Sequence, residues 1–278
     1  AEHPEMTELY IEQILRLGQV NNPRLKQLGQ FLKDTNTVRL IEDVKKEYPD
    51  MKAYETAFTA AFKRVKYYFP SDTLPEKAYT CVTGLQIPGF TYENILGISL
   101  DWYLGEGYTF YHNQVFPSYI QRRMTKSYIV SQMMAAYYRN KFPEERHTDQ
   151  TLLSKMIYWG KQIEVVKMTM PNLPDSILLE YTSKQMQWSK ANEGEMYQHL
   201  VEKKLWYETD ANLYDRYLSD GPYTIAADVP ISSAPRIGWY LGWQIVKSYR
   251  DNNGGDPRVN LFENEDYKAI FREAKYKP

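Results

Sequence analysis

The sequence predicts a mainly helical α+β domain. Three observations carry this. Apolar residues recur at helical spacing through the first 70 residues. The stretch 78–104 is instead rich in β-branched and aromatic residues, with turn residues inside it. Helical spacing then returns and lasts to the end of the chain. The expected organisation is one domain over 1–278, with N-terminal helices over 1–70, a small sheet over 77–105 and a helical part over 118–278.

Each element follows from its local pattern. Thr7–Leu17 places Leu9, Tyr10, Ile14 and Leu17 at helical spacing. Pro23 suits a helix start, and Leu25, Leu28, Phe31 and Leu32 continue on one face. Val38–Tyr48 and Ala53–Phe69 read as two more helices, with Pro49 between them and Pro70 ending the second. Ala78–Leu85 and Asn94–Leu104 read as strands around a turn at Pro88–Gly89, in a sheet of two to four strands. Ser118–Asn140, Thr151–Met168, Ser176–Thr182, Ser183–Lys190 and Glu193–Trp206 read as helices. Asp175 suits an N-cap, and Asn192 with Glu195 three residues later resembles a capping box. Pro235–Arg250 and Asn264–Lys275 are the closing helices, and Asn253–Asp256 reads as a turn after the first of them. No internal repeat or low-complexity linker interrupts the chain.

The segment Pro235–Tyr249, PRIGWYLGWQIVKSY, is the most informative. At about 100° per residue, Gly238, Gly242, Ile245 and Tyr249 form one stripe. Two glycines four residues apart let another backbone come close. Arg236, Tyr240, Trp243 and Lys247 form the opposite stripe, with Gln244 at its edge.

Composition removes several classes of function. A net charge of −1 over 278 residues, with 25% charged, offers nothing for a polyanion such as nucleic acid. Aromatic residues at 15%, with 25 tyrosines, point to a sizeable core. The single cysteine, Cys81, rules out an intrachain disulfide, and its apolar strand-like surroundings suit an inert thiol. No segment approaches the ~18 consecutive apolar residues of a membrane span, and Ala1–Pro4 carries no signal peptide.

Catalytic signatures are missing. A zinc peptidase helix needs two histidines at i and i+4 aimed at one metal, with a glutamate between them as base. The four histidines are His3, His112, His147 and His199, and no two have that spacing. Glu195, His199 and Glu202 do point one way on a helix, but Met196, Leu200, Val201 and Leu205 occupy its other side, which puts the three on the solvent face. There is no G-x-S-x-G elbow, no evident histidine partner for Cys81 and no glycine-rich phosphate loop. Paired carboxylates for glycosidic chemistry leave no fixed local pattern. Glu164 shares a stripe with Leu153, Ile157 and Gly160, so it is expected buried, and either Lys161 or Lys167 neutralises it or it faces a polar cleft.

R-I-G-x-x-L-G-W-Q-I-V-x-S-Y, from Arg236 to Tyr249, resembles the C-terminal helix of the gliding-motility lipoprotein GldB family. Further blocks are similar in order and spacing: Gly97-Ile-Ser-Leu-Asp101-Trp-Tyr-Leu-Gly105, Pro117–Met124, Ile129-Val130, Gly160-Lys161, Pro171–Asp175, Tyr181-Thr182 through Gln185, Trp188 and Asn192-Glu193, and the closing Lys275–Pro278. The R-I-G-x-x-L-G pattern also resembles predicted zinc peptidases whose HExxH helix follows a D-x-x-L-G-like strand. The comparable region here, Tyr128–Ala136, holds no histidine and no acid, and Trp159 stands where those peptidases place a later glutamate. Glu164 stands where an aromatic residue is usual in the GldB family.

The resemblance implies an α+β, mainly helical, zincin-like scaffold with a small sheet and its metal site absent. It implies a non-catalytic, periplasm-facing lipoprotein of the bacterial cell envelope, acting by binding in gliding motility or type IX secretion machinery. Its partners would be other envelope proteins or a peptide or glycan ligand, without nucleic acid, metal or cofactor. Contact with the membrane would run only through a lipid anchor on residues upstream of Ala1. The expected cleft is lined by Asp101, Lys161, Glu164, Arg236, Tyr240 and Gln244, with Arg236 either free for a ligand carboxylate or paired with an acid such as Asp101. The alternatives are a glycan or peptidoglycan hydrolase using carboxylates such as Asp101, Glu106 and Glu164, and a peptide-binding module.

Overall fold

A computed structural model describes residues 4–113, 116–144, 148–256 and 261–278, with backbone alone at 4, 5 and 113. The fold is α+β and mainly helical. The chain divides into two compact units, one of residues 1–59 and 73–136, the other of 60–72 and 137–278. Two of the three divisions fall inside the helices Lys52–Tyr68 and Ile129–Lys141, and the third lies between residues 72 and 73.

In the first unit α1 (Pro4–Leu9) widens into a π-turn over Tyr10–Ile14. Then come α2 (Asn22–Lys33), α3 (Thr35–Glu47) and the start of α4 (Lys52–Tyr68). Asn21 caps α2 by accepting the Arg24 N–H, and Asp34 caps α3 by accepting those of Asn36 and Thr37. The apolar positions of α3 find a core, with Leu40 and Val44 buried. Those of α2 do not: no residue of that helix is buried.

The sheet has three strands in the order β1-β3-β2, with β1 Lys77–Cys81, β2 Gly89–Tyr92 and β3 Ile95–Ser99. β3 runs parallel to β1 and antiparallel to β2. All five residues of β3 are buried, as befits the central strand. β2 occupies the stretch that the sequence reads as a turn, because a two-residue reversal at Glu93–Asn94 lets the chain double back. After β3 a 3-10 turn, Leu100–Tyr103, packs on α3, and the Tyr48 hydroxyl donates to the Tyr103 carbonyl at 2.6 Å.

α5 (Thr109–Asn113) is a short helix that the sequence pattern misses. The helix expected over Ser118–Asn140 is broken into α6 (Ser118–Gln121), a 3-10 turn at Lys126–Tyr128 and α7 (Ile129–Lys141). No proline or glycine forces the break. The Met124 carbonyl accepts the distant Gly105 N–H at 3.0 Å, and Met124 itself is fully buried beside Tyr111 and Leu85. Tertiary bonding thus takes backbone groups that a continuous helix would need.

The second unit is built on α8 (Leu152–Thr169), capped by Thr151, which accepts the Ser154 N–H. α9 (Asp175–Leu178), α10 (Ser183–Ala191), α11 (Glu193–Glu202) and α12 (Ala211–Tyr214) follow, and α13 (Ile237–Asn253) and α14 (Tyr267–Ala274) close the chain. Two cap assignments change. Asp175 lies inside α9, after Pro174 at the N-cap, and pairs with Lys167 at 3.0 Å. The capping box is Thr182 with Gln185 at the start of α10, whereas Asn192 turns its side chain back to the Trp188 carbonyl at 2.7 Å.

α8 and α13 cross at their glycines. A Cβ on Gly242 would stand 1.8 Å from the Met156 carbonyl oxygen, and one on Gly160 would stand 2.4 Å from the Gly242 backbone. The close approach expected from the glycine stripe is therefore made against α8. The opposite stripe of α13 is equally buried: Tyr240 and Trp243 are each 1% exposed. A helix buried on most of its circumference is a central element rather than a surface one.

Candidate functional site

Of the residues expected to line one cleft, Asp101 lies in the first unit and the other five in the second. Asp101 is fully buried, and its carboxylate accepts the Thr83 N–H at 3.1 Å and the Leu85 N–H at 2.8 Å. It serves as a clamp for the turn after β1, in which Gly84 and Leu85 both adopt left-handed backbone. Burial pushes its carboxyl up to about 6, against the pull of the Leu85 and Thr83 amides.

Arg236 is 3% exposed, with left-handed backbone at the N-cap of α13. One Nη donates to the Glu180 carboxylate at 3.1 Å, the other to the Leu179 carbonyl at 2.9 Å, and Asp220 lies 3.7 Å from Nε. Its guanidinium lies 4.5 Å from the centre of the Trp239 ring, which stacks on Trp159 at 3.9 Å. The pairing with Asp101 considered from sequence is replaced by Glu180 and Asp220. The planar donor fork is spent on holding two loops to the start of α13.

Glu164 on α8 is 1% exposed, as its stripe predicts. It is met by neither Lys161 nor Lys167. Oε2 accepts the Trp243 indole N–H at 2.7 Å, and Oε1 pairs with Arg250, one turn from the end of α13. Burial raises its carboxyl above the ordinary range, with Arg250 opposing. Lys247 lies 4.4 Å from the Trp243 ring centre, its ammonium lowered by burial. On the same helix the Tyr240 hydroxyl donates to Glu193 at 2.6 Å, and Tyr276 donates to the other oxygen of that carboxylate at 2.6 Å. Burial and the Glu193 carboxylate both hold the two phenols above their ordinary range. Gln244 is half-buried further along α13.

Lys161 lines a cavity of about 220 Å³. The side chain is 6% exposed; its Nζ donates to the Asn264 carbonyl at 2.5 Å and sits 4.7 Å from the Tyr267 ring centre. Burial lowers its ammonium to about 7, with the Glu265 charge opposing. Gln162 shares the wall: its Nε2 donates to the Phe142 carbonyl at 2.9 Å, while its buried Oε1 has no hydrogen-bond partner among the described residues. Phe142 and Phe262 stack across the cavity, 5.8 Å between ring centres, and Glu263 and Glu265 complete it. The chemistry on offer is an amine that changes charge near neutrality, a spare acceptor and two aromatic faces. Of these residues the sequence singles out Lys161. Phe142 follows α7 and Phe262 precedes α14, and no local signal links them.

Among the described residues no three histidine, cysteine, aspartate or glutamate side chains come together as a metal site would require. Glu195 and Glu202 are exposed, as expected, while His199 is half-buried against the Tyr217 hydroxyl at 2.9 Å. Val201, expected on the buried side of α11, is 42% exposed. His3 and His147 lie outside the described residues. Among the described residues no helix is long and apolar enough to cross a membrane.

Neither a curated protein nor a solved structure matches the chain. The model of the gliding motility protein GldB family matches residues 1–278, so the chain belongs to that family of gliding-motility lipoproteins.

Proposed function

We propose that this GldB-family chain works by binding, as a non-catalytic scaffold of the gliding or type IX secretion machinery at the periplasmic side of the envelope. On this reading the fold descends from a zincin-like peptidase whose metal ligands have been replaced. The observation that carries it is the fate of the positions where the related peptidases hold metal. Along α7, Met133 and Met134 are packed into the core at 1% and 0% exposure, and Gln132 accepts the Tyr103 hydroxyl at 2.7 Å. On α8, Trp159 is stacked on Trp239. Core packing has taken over positions that catalysis would need polar and open.

Two of the three carboxylates named for a glycan hydrolase, Asp101 and Glu164, support that alternative poorly. Asp101 is held by backbone amides and Glu164 by Trp243 and Arg250, so neither faces a cleft that a sugar could enter. The purified chain, incubated with excess Zn²⁺ and desalted, is expected to retain far less than one zinc per chain by elemental analysis. It is also expected to leave a mixed peptide library uncleaved. One retained zinc per chain together with cleavage overturns the proposal.

A further inference from the structure

The first unit contains a groove that the scaffold reading leaves unused. Its volume is about 620 Å³, inside the ~300–1,000 Å³ typical of sites for small ligands. α2 contributes Leu28 and Leu32, α3 contributes Ile41 and Val44, and Cys81 and Leu100 come from the two ends of the sheet region. Polar groups on its floor are already engaged. The Tyr10 hydroxyl donates to the Val82 carbonyl at 2.5 Å, and the Cys81 sulfur lies 3.6 Å from the Ile98 carbonyl. The groove presents mainly hydrocarbon.

The wall made by α2 is not covered by any of the described residues. Leu25 and Leu32 are each 45% exposed, and Val20 and Val38, at either end of this region, are 41% and 40% exposed. A helix with an apolar stripe ordinarily buries it, so an uncovered stripe beside a groove marks a place for another molecule. Charge identifies that molecule. From Gln13 to Lys33 the chain carries Arg16, Arg24, Lys26 and Lys33 and no acidic residue. The flanking carboxylates are occupied: Glu12 accepts the Val20 N–H at 3.0 Å, and Asp34 caps α3. Lys45 stands in the groove wall itself. A hydrocarbon slot bordered by the basic helix α2, with Lys45 in its wall, complements a long apolar tail with an anionic head. A peptide fits less well, because its backbone would need hydrogen-bond partners that apolar side chains do not supply.

We propose that this groove binds one fatty acid, its hydrocarbon tail lying against Leu28, Leu32, Ile41 and Val44 and its carboxylate against Lys45. The probe is cis-parinaric acid, titrated into the full chain and followed by the fluorescence it gains in an apolar site. Saturable binding of one probe per chain is expected, displaced by palmitate and not by hexadecylamine, which has the same tail and the opposite charge. Lys45→Glu should weaken binding about five- to tenfold, since it replaces an attraction by a repulsion of similar size. Leu32→Glu should abolish it. Both positions are exposed, so an unchanged circular dichroism melt is expected and separates loss of the site from loss of the fold. The proposal is overturned by non-saturable fluorescence, by equal displacement by the amine, or by binding that survives both substitutions. Adsorption to phosphatidylglycerol vesicles with no fatty-acid binding, or saturable capture of extended peptides in its place, overturns it equally.

Discussion

Gly242→Ala adds one methyl group at the crossing of α8 and α13, and its cost can be worked from the geometry. The new Cβ would stand 1.8 Å from the Met156 carbonyl oxygen, 2.4 Å from the carbonyl carbon and 3.1 Å from the Cα. A relaxed carbon–oxygen contact needs about 3.3–3.6 Å, so the two backbones must part by roughly 1.5 Å. No flexible side chain can absorb that, because every atom named is main chain. A gap of ~0.5–1 Å already forfeits a quarter to a half of each dispersion contact. The contacts at stake here are those of fully buried residues such as Met156, Ile157, Leu241 and Ile245. Alanine recovers ~1 kcal/mol of helix propensity over glycine. The net loss is therefore placed at the upper end of overpacking, about 3–5 kcal/mol. Gly29→Ala is the control of identical chemistry: it sits within α2 with nothing inside 4 Å of the added Cβ. It should stabilise by ~0.5–1 kcal/mol. Urea unfolding followed by far-ultraviolet circular dichroism measures both. A Gly242→Ala protein within ~1 kcal/mol of wild type would refute the reasoning.

Three further outcomes are expected. The Asp101 carboxyl, raised from 3.8 to about 6, binds its proton more tightly folded than unfolded, so its contribution to stability is full below pH 4 and is lost as pH rises to about 6. That amounts to about 3 kcal/mol, and the wild-type minus Asp101→Asn difference in stability should fall by this order between pH 4 and 6.5 and stay level above. Lys161 has the opposite sign: its ammonium is lowered from 10.5 to about 7, so the folded chain gains stability as pH rises between those values. Lys161→Met should accordingly gain on wild type by about 2–5 kcal/mol on going from pH 10 to pH 6.5, read from thermal melts across the range; a constant difference would contradict the burial argument. Arg236→Lys keeps the charge but lacks the fork that reaches Glu180 and the Leu179 carbonyl together. It should cost about 2 kcal/mol or more, seen as a lower urea midpoint, and parity with wild type would show that charge alone suffices.

Much of the fold is legible in local pattern. The helices around Leu40, Leu153 and Leu241 declare themselves by spacing, and the close approach of another backbone to α13 by glycines at 238 and 242. Errors arise where a distant group competes with a local one. Met124 gives its carbonyl to Gly105 and breaks a helix that its own neighbours favour. Asn192, a good N-cap by type, spends its side chain on the preceding helix, and Thr182 takes the capping role. The candidate site fared worse. The sequence points to Lys161 and Glu164 as cleft residues, but Phe142, Gln162 and Phe262 join Lys161 through folding alone.

The sequence by itself determined the class of fold, the glycine contact, the burial of Glu164 and the family, because each depends on residue types at fixed spacing along a single helix or strand. Only the tertiary structure decided which charge meets which. Arg250 rather than Lys161 or Lys167 answers Glu164, and Glu180 and Asp220 rather than Asp101 answer Arg236. Periodicity states which way a side chain points; what stands opposite depends on how separate elements pack, and a buried charge takes whichever partner that packing brings within hydrogen-bonding distance.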